Sequence, residues 1–292
     1  MGSSLKDFIY TAETWPDEIL SLEPPKKRST SGGKSGSQEN NQANNNKFEL
    51  PEELGILAIR NAVVFPGTVA PLAVGREKSK ALLKDVIPNE TVIGILTQRK
   101  PDTDKPDFPD LYDVGTAAMV LKVIRAPQGS ISIFVHGIAR FEVTGVVSTE
   151  PYLKAKVRLL DSTARMTKRL QALMVNVRQT ANKVISLSPN VPEEVSSLLE
   201  EIEDPSALAD YLAANISLKT DERQKLLEEL DPARRLERLS VELANQLDVL
   251  ELSHKIQGRV RDSVEKSQRE YFLQEQLKAI QTELGKEDTR TE

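Results

Sequence analysis

Residues 233–284 read ARRLERLSVELANQLDVLELSHKIQGRVRDSVEKSQREYFLQEQLKAIQTEL. The stretch holds no proline, and its only glycine is Gly258. Apolar residues recur at Leu236, Leu239, Leu243, Leu247 and Leu250, then at Ile256, Val260 and Val264, then at Tyr271, Leu273, Leu277, Ile280 and Leu284. Steps of three and four are the period of a helix. Glu251 and Lys255, Asp262 and Lys266, and Glu265 and Arg269 stand four apart in the favourable order, acid before base. About fifty residues at ~1.5 Å each reach roughly 75 Å if unbroken. A small domain needs far less, so the second half of this helix must find partners outside its own bundle. The spacing predicts an arm that packs against neighbouring chains or following domains.

The residues just before the arm read as a helical bundle. Leu170, Leu173, Val177, Val184 and Leu187 place a helix over 163–187, ended by Ser188-Pro189-Asn190. Pro192 opens a second helix at its favoured first-turn position. Asp204-Pro205 and Asp231-Pro232 pair a capping carboxylate with a first-turn proline. Between them Leu208, Tyr211 and Leu212 mark one helix, and Leu226, Leu227 and Leu230 another.

Upstream of Asp161 the texture is that of strands. Ile56–Ile59, Val69–Val74 and Val92–Thr97 are short apolar or β-branched runs bounded by glycine and proline. Glu77–Val86 interrupts them with a helical pattern, Ala81, Leu82 and Val86 sharing one face. Lys100–Asp110 carries three prolines and four aspartates and reads as a surface loop. Four strands follow in close order: Thr116–Arg125, Ser130–His136, Arg140–Val147 and Tyr152–Leu160. Gln128-Gly129 supplies a hairpin turn between the first two, and a turn near Pro151 joins the last two. Many short strands with one helix point to a compact, mostly antiparallel sheet or barrel. The fold class expected is therefore α+β and bilobed: a small β lobe with one helix, then an α-helical bundle ending in a very long helix. The divisions are a disordered polar tail over 1–47, a β-rich subdomain over 48–161, a helical bundle over 162–232, the long arm over 233–286 and a frayed C-terminus over 287–292.

The tail follows from composition, since Ser29–Lys47 is almost wholly Ser, Gly, Asn, Gln and Lys and cannot bury enough apolar area to offset ordering. Lys26, Lys27 and Arg28 in it could be a basic targeting patch, or simply solvated charge. The whole chain has 39 basic and 44 acidic residues, net charge -5, and only 4% aromatics. That balance lacks the electrostatic footprint of a nucleic-acid binder. The absence of cysteine removes disulfides, thiolate metal sites and cysteine nucleophiles, and fits a reducing compartment. Asp7, Glu13, Asp17 and Glu18 interrupt any secretory signal, and no run approaches the ~18 apolar residues a bilayer requires. The expectation is a cytoplasmic protein with no membrane partner.

No constellation in the chain can do chemistry. Gly33-Lys34-Ser35 has the end of a phosphate-binding loop, but Arg28 stands where its first glycine belongs. His136 and His254 lack partners at metal or triad spacing. Glu200, Glu201, Glu203 and Asp204 read as a solvated acidic face rather than a metal site.

Three segments resemble the Lon proteases. The first runs Leu57-Ala58-Ile59-Arg60-Asn61-Ala62-Val63-Val64-Phe65-Pro66-Gly67, then Pro71-Leu72-Ala73-Val74-Gly75-Arg76-Glu77-Lys78-Ser79, and looks like the opening block of the Lon N-terminal domain. Asp113-Val114-Gly115-Thr116-Ala117-Ala118 with Gly137-Ile138-Ala139-Arg140-Phe141 resembles its later sheet. Residues 268–285, from Gln268-Arg269-Glu270-Tyr271-Phe272 to Glu283-Leu284-Gly285, resemble the helix that leads into the ATPase module of full-length Lon and are the most specific of the three. Ala58 stands where the family commonly has proline, and Asn61 where it often has aspartate. The resemblance covers roughly residues 48–288. It implies a region truncated before the ATPase and peptidase domains, so no catalytic, cofactor or metal residue carries over, and no cofactor is expected in this fragment. The parent it implies is a homohexameric AAA+ machine that uses ATP and Mg and cleaves proteins with a Ser-Lys dyad.

The function implied is recognition of unfolded or damaged protein substrates and support of the hexamer. The alternative is a stand-alone Lon-domain adaptor or ligand-binding protein without protease activity, against which the long helix argues. A module that recognises many unfolded chains needs exposed, adaptable apolar surface. Tyr271, Phe272, Leu273 and Leu277 are the candidate substrate contacts, because four bulky residues there cover more than one helix face. The competing assignment packs them in the hexamer or on the ATPase module.

Overall fold

The computed structural model describes residues 50–89, 91–125, 131–188 and 193–287. The polar tail over 1–47 with its basic patch and Gly33-Lys34-Ser35, the Gln128-Gly129 turn, Pro192 and the residues after Glu287 lie outside the described residues. The fold is α+β, a six-stranded β lobe followed by helices and a long terminal helix.

The β lobe contains β1 (Glu53–Ile59), β2 (Val69–Val74), α1 (Glu77–Asn89), β3 (Ile93–Thr97), β4 (Val114–Arg125), β5 (Ile131–Ser148) and β6 (Lys154–Leu160). The order is β2-β5-β4-β3-β1-β6, and β6 also pairs with β5. Five strands therefore close a ring, with β2 flanking it. Every pairing is antiparallel except β1 with β3, whose parallel register from Ile56↔Gly94 to Ile59↔Thr97 needs the α1 crossover.

One expectation is corrected. Ser130–His136 and Arg140–Val147 are not two strands but parts of one, β5, which runs 18 residues from Ile131 to Ser148. Gly137 does not mark a turn. Its N–H donates to Thr68 O at 2.9 Å, its carbonyl accepts from Gly67 N at 2.9 Å, and a Cβ there would run into the carbonyl oxygen of Phe65. The glycine admits a close backbone crossing inside a continuous strand. A strand this long can pair with β2 near its start and β6 near its end along one side, and with β4 along the other.

Side chains alternate along the strands, so both faces of β1 are buried. Leu54 and Ile56 pack inside the ring with Leu96, Ala117 and Phe141, while Leu57 and Ile59 pack under α1 with Leu82, Leu83 and Val86. The fully buried Phe141 fills the ring's interior, and Gly94 and Gly115 make room for it. A Cβ on Gly94 would lie 2.6 Å from Ile56 Cδ1 and 2.9 Å from Phe141 Cζ.

The helices are α2 (Lys168–Leu187), α3 (Glu193–Glu201), α4 (Pro205–Asn215), α5 (Thr220–Glu228) and α6 (Pro232–Glu287). Helix α2 starts at Lys168 rather than Thr163 because Thr167 Oγ1 caps it, accepting from Leu170 N at 3.2 Å. Asp204 Oδ2 accepts from Ala207 N at 2.7 Å, and Asp231 Oδ1 from Ala233 N at 2.9 Å, so both Asp-Pro pairs begin helices. Helix α5 stops short of Leu230.

The two lobes share a core. Val63 and Phe65, from the loop after β1, sit among Leu170, Met174, Leu208, Leu227 and Leu239 of the helices, whereas Val64 between them faces the α1 side. That loop begins with Asn61 at φ 55°, a left-handed conformation that asparagine and aspartate tolerate best among side-chain-bearing residues.

Candidate functional site: the projecting half of the long helix

Helix α6 changes character along its length. Leu236, Leu239 and Leu243, at i, i+3 and i+7, are fully buried against the bundle. From Glu251 to Leu284 every described residue is exposed. The exposed part still carries Leu252, Ile256, Val260, Val264, Ile280 and Leu284.

The four candidate contacts all lie on this part, with Tyr271 68%, Phe272 61%, Leu273 54% and Leu277 57% exposed. They do not form one surface. At 3.6 residues per turn, Tyr271 shares a face with Val249, Leu252, Ile256, Val260 and Val264. Leu273 and Leu277, one turn apart, share another with Ile280 and Leu284, about 120° around. Phe272 points to a third side. The structure brings Leu273 and Leu277 together and keeps them from Tyr271 and Phe272. The spaced pairs Glu251–Lys255 and Glu265–Arg269 are not closed as ion pairs, which fits side chains fully solvated on a bare helix. The Asp262 side chain lies outside the described residues.

The base of α6 is held by a polar cluster that sequence reading did not single out. Arg140 on β5, Asp210 on α4 and Arg235 on α6 are all buried. Arg140 Nη1 donates to Asp210 Oδ2 at 2.8 Å, its Nη2 donates to Oδ1, and its Nε donates to Leu227 O at 3.0 Å. Arg235 Nη1 donates to the same Oδ1, and its Nη2 donates to Ser162 Oγ at 2.5 Å and Ser206 Oγ at 2.8 Å. Burial pulls the Arg235 guanidinium down to about 10, against the pull of Asp210 and with the repulsion of Arg140. It therefore stays charged at neutral pH. The signal was in the pattern: Arg235 is on the same face as Leu239, and Asp210 sits between Leu208 and Leu212 in a mostly apolar helix.

The remaining polar candidates have structural uses. Glu200 Oε1 accepts from Asn182 Nδ2 at 3.0 Å, and Asp204 caps α4. His136 is half-buried on β5, where desolvation holds its imidazole below the ordinary value, and His254 is exposed on α6. Among the described residues no three His, Cys, Asp or Glu side chains gather as a metal site. No helix among them is long and apolar enough to cross a membrane.

Residues 53–245 match the family described as ATP-dependent protease La (LON) substrate-binding domain. The chain is 43% identical over 242 residues to Lon protease 2 of Myxococcus xanthus, covering 82% of this chain and 29% of that protein. It is 39% identical over 246 residues to the Lon protease of Dictyoglomus thermophilum, covering 84% and 31%. The chain thus spans about 30% of the length of the curated relatives it matches. In fold it is similar to the N-terminal domain of the Mycobacterium avium complex Lon protease, with a TM-score of 0.54 at 23% identity over 66% of this chain and 98% of that one.

Proposed function

This chain belongs to the ATP-dependent protease La (LON) substrate-binding domain family, and on that premise we propose that it captures misfolded, damaged and regulatory polypeptides for an ATP-dependent Lon protease and helps hold that protease together as a homohexamer. The region is non-catalytic in this reading. ATP, Mg and the Ser-Lys dyad belong to the rest of a cytoplasmic parent enzyme. The polar tail over 1–47, the β-rich subdomain over 48–161, the bundle over 162–232 and the arm over 233–286 are its working parts.

The observation that carries the reading is the projecting half of α6, where apolar side chains from Leu252 to Leu284 lie on more than one face and stay exposed, with none of the described residues packed over them. A helix polar all round would need no partner; one with two apolar stripes does. A stand-alone adaptor has no use for such an extension.

The test is a titration of the whole chain with a fluorescent, chemically unfolded protein and with its folded form, alongside sedimentation with and without residues 246–292. Saturable binding of the unfolded form alone, and a smaller assembly after truncation, are expected. Equal binding of both forms, or a sedimentation coefficient that falls only as the lost mass requires, overturns the reading.

A further inference from the structure

One edge of the β lobe is left without a strand. Strand β4 pairs with β5 only as far as Val114↔Glu142. The last backbone bond on that side is Val143 N to Asp113 O, 2.9 Å. From Thr144 to Ser148, β5 keeps β6 on its other side, but no strand among the described residues lies along this one. The chain that could have continued β4 backwards turns away instead, into a 3-10 turn at Phe108–Asp110 and a single bridge between Leu111 and Gln98.

Beneath this edge lies a cleft of about 480 Å³. Its apolar floor includes Leu96, Phe108, Tyr112, Val143 and Val146, and Val146 is 57% exposed. Register skips leave Thr144 and Val147 unmatched on β6, and both are exposed beside it. The rim is acidic. Asp107 lines the cleft and Asp110 stands on the same turn; their carboxylates accept backbone N–H bonds from Phe108 and Asp107 at 2.9 and 3.0 Å. The guanidinium of Arg99 is already committed to Asp113 at 2.9 Å and to the ring of Tyr112 at 4.8 Å.

We infer that the open edge of β5 at Thr144–Ser148, with the cleft below it, is a strand-addition site for an extended, apolar segment of polypeptide bearing basic side chains. An unpaired row of backbone donors and acceptors reads any extended chain, and alternate side chains of the added strand fall into the cleft. Sequence-tolerant main-chain pairing suits a binder of unfolded chains. The acidic rim selects lysine or arginine beside the apolar residues. The inference rests on the substrate-capture reading and places a contact on the β lobe, apart from α6.

Gly145 offers the test. It lines the cleft, its backbone is not left-handed, and a Cβ there would meet nothing within 4 Å. Gly145→Trp therefore sets a bulky indole beside the open edge with no clash at its Cβ, and Gly145→Ala is its control. The probe is an eight-residue peptide of alternating valine and lysine, with a second version N-methylated at alternate backbone nitrogens. Hydrogen exchange of the whole chain should show new protection at Thr144–Ser148 with the first peptide. Affinity should fall at least tenfold for Gly145→Trp and, on the unaltered chain, for the N-methylated peptide, with Gly145→Ala unchanged. Equal affinity for both peptides, or no protection at the edge, overturns the inference. Unfolded protein that binds the unaltered chain and Gly145→Trp equally overturns it while leaving the capture reading in place. An unaltered chain that binds neither peptide nor unfolded protein overturns both.

Discussion

Arg140 of the β lobe and Arg235 of the long helix meet on one carboxylate oxygen, Oδ1 of Asp210. All three side chains are sealed from solvent. Two guanidinium groups on one buried carboxylate leave a net positive charge, offset in part by Leu227 O, Ser162 and Ser206, which accept further N–H bonds, while Arg235 Nε is left buried without a hydrogen-bond partner. Asp210→Ala strands both cations and should cost about 3–5 kcal/mol. Urea unfolding, followed by circular dichroism, measures it. A triple change to Arg140→Met, Asp210→Leu and Arg235→Met removes every buried charge and should recover most of that loss.

The two halves of α6 should respond oppositely to truncation of a leucine. Leu243→Ala empties a fully buried site and should destabilise by about 2–5 kcal/mol. Leu277→Ser, on the exposed part, should stay within about 0.5 kcal/mol in the isolated chain. In the proposed assembly the order reverses, and sedimentation rather than unfolding should register the Leu277 change.

The interior of the ring has no spare volume. Gly115→Ala would drive a methyl group into the carbonyl oxygen of Ile95, which is backbone and cannot step aside. A loss of roughly 1–3 kcal/mol is expected by thermal unfolding. Gly145→Ala, which meets open space, should change stability by less than about 0.5 kcal/mol.

Among the described residues, limited trypsin digestion should cut α6 first, at Arg259, Arg261, Lys266 or Arg269, while residues 53–245 survive as one fragment. An uncovered helix gains nothing from tertiary packing and opens locally. Mass spectrometry of the early fragments checks this. Early cuts within the β lobe would count against it.

His136 gives the chain one acid-sensitive component. Burial holds its folded pKa below the ordinary 6.5, so the unfolded chain binds the proton more readily. The contribution is whole above pH 6.5 and declines as pH falls from there through the lowered folded value. Between pH 7.5 and 5.5 the native chain should lose more stability than His136→Gln, as compared by urea midpoints.

Much of this architecture is legible in the sequence because apolar spacing reports burial. The steps from Leu236 to Leu243 mark the docked turns, and the Asp-Pro pairs mark where α4 and α6 begin. Two features are hidden. Gly137 looks like punctuation between strands, yet it serves a crossing with the Phe65 loop, which only the folded chain contains. Asp210 and Arg235 stand at core-facing helix positions, but their partnership with each other and with Arg140 joins positions 25 and 70 residues apart and is visible only in the folded chain. The candidate contacts are legible as bulky residues in excess of one face. Their separation into distinct sides follows only from helical geometry over the full span.

Helix α6 is held over little more than its first four turns, as far as Gln246, whose Nε2 donates to Ser217 O, and its free portion from Val249 to Glu287 runs roughly 55 Å. Such a lever magnifies whatever happens at its fulcrum. A tilt of about 10° at Asp210 sweeps Leu284 through roughly 13 Å, so small adjustments deep in the molecule set where its far tip can reach.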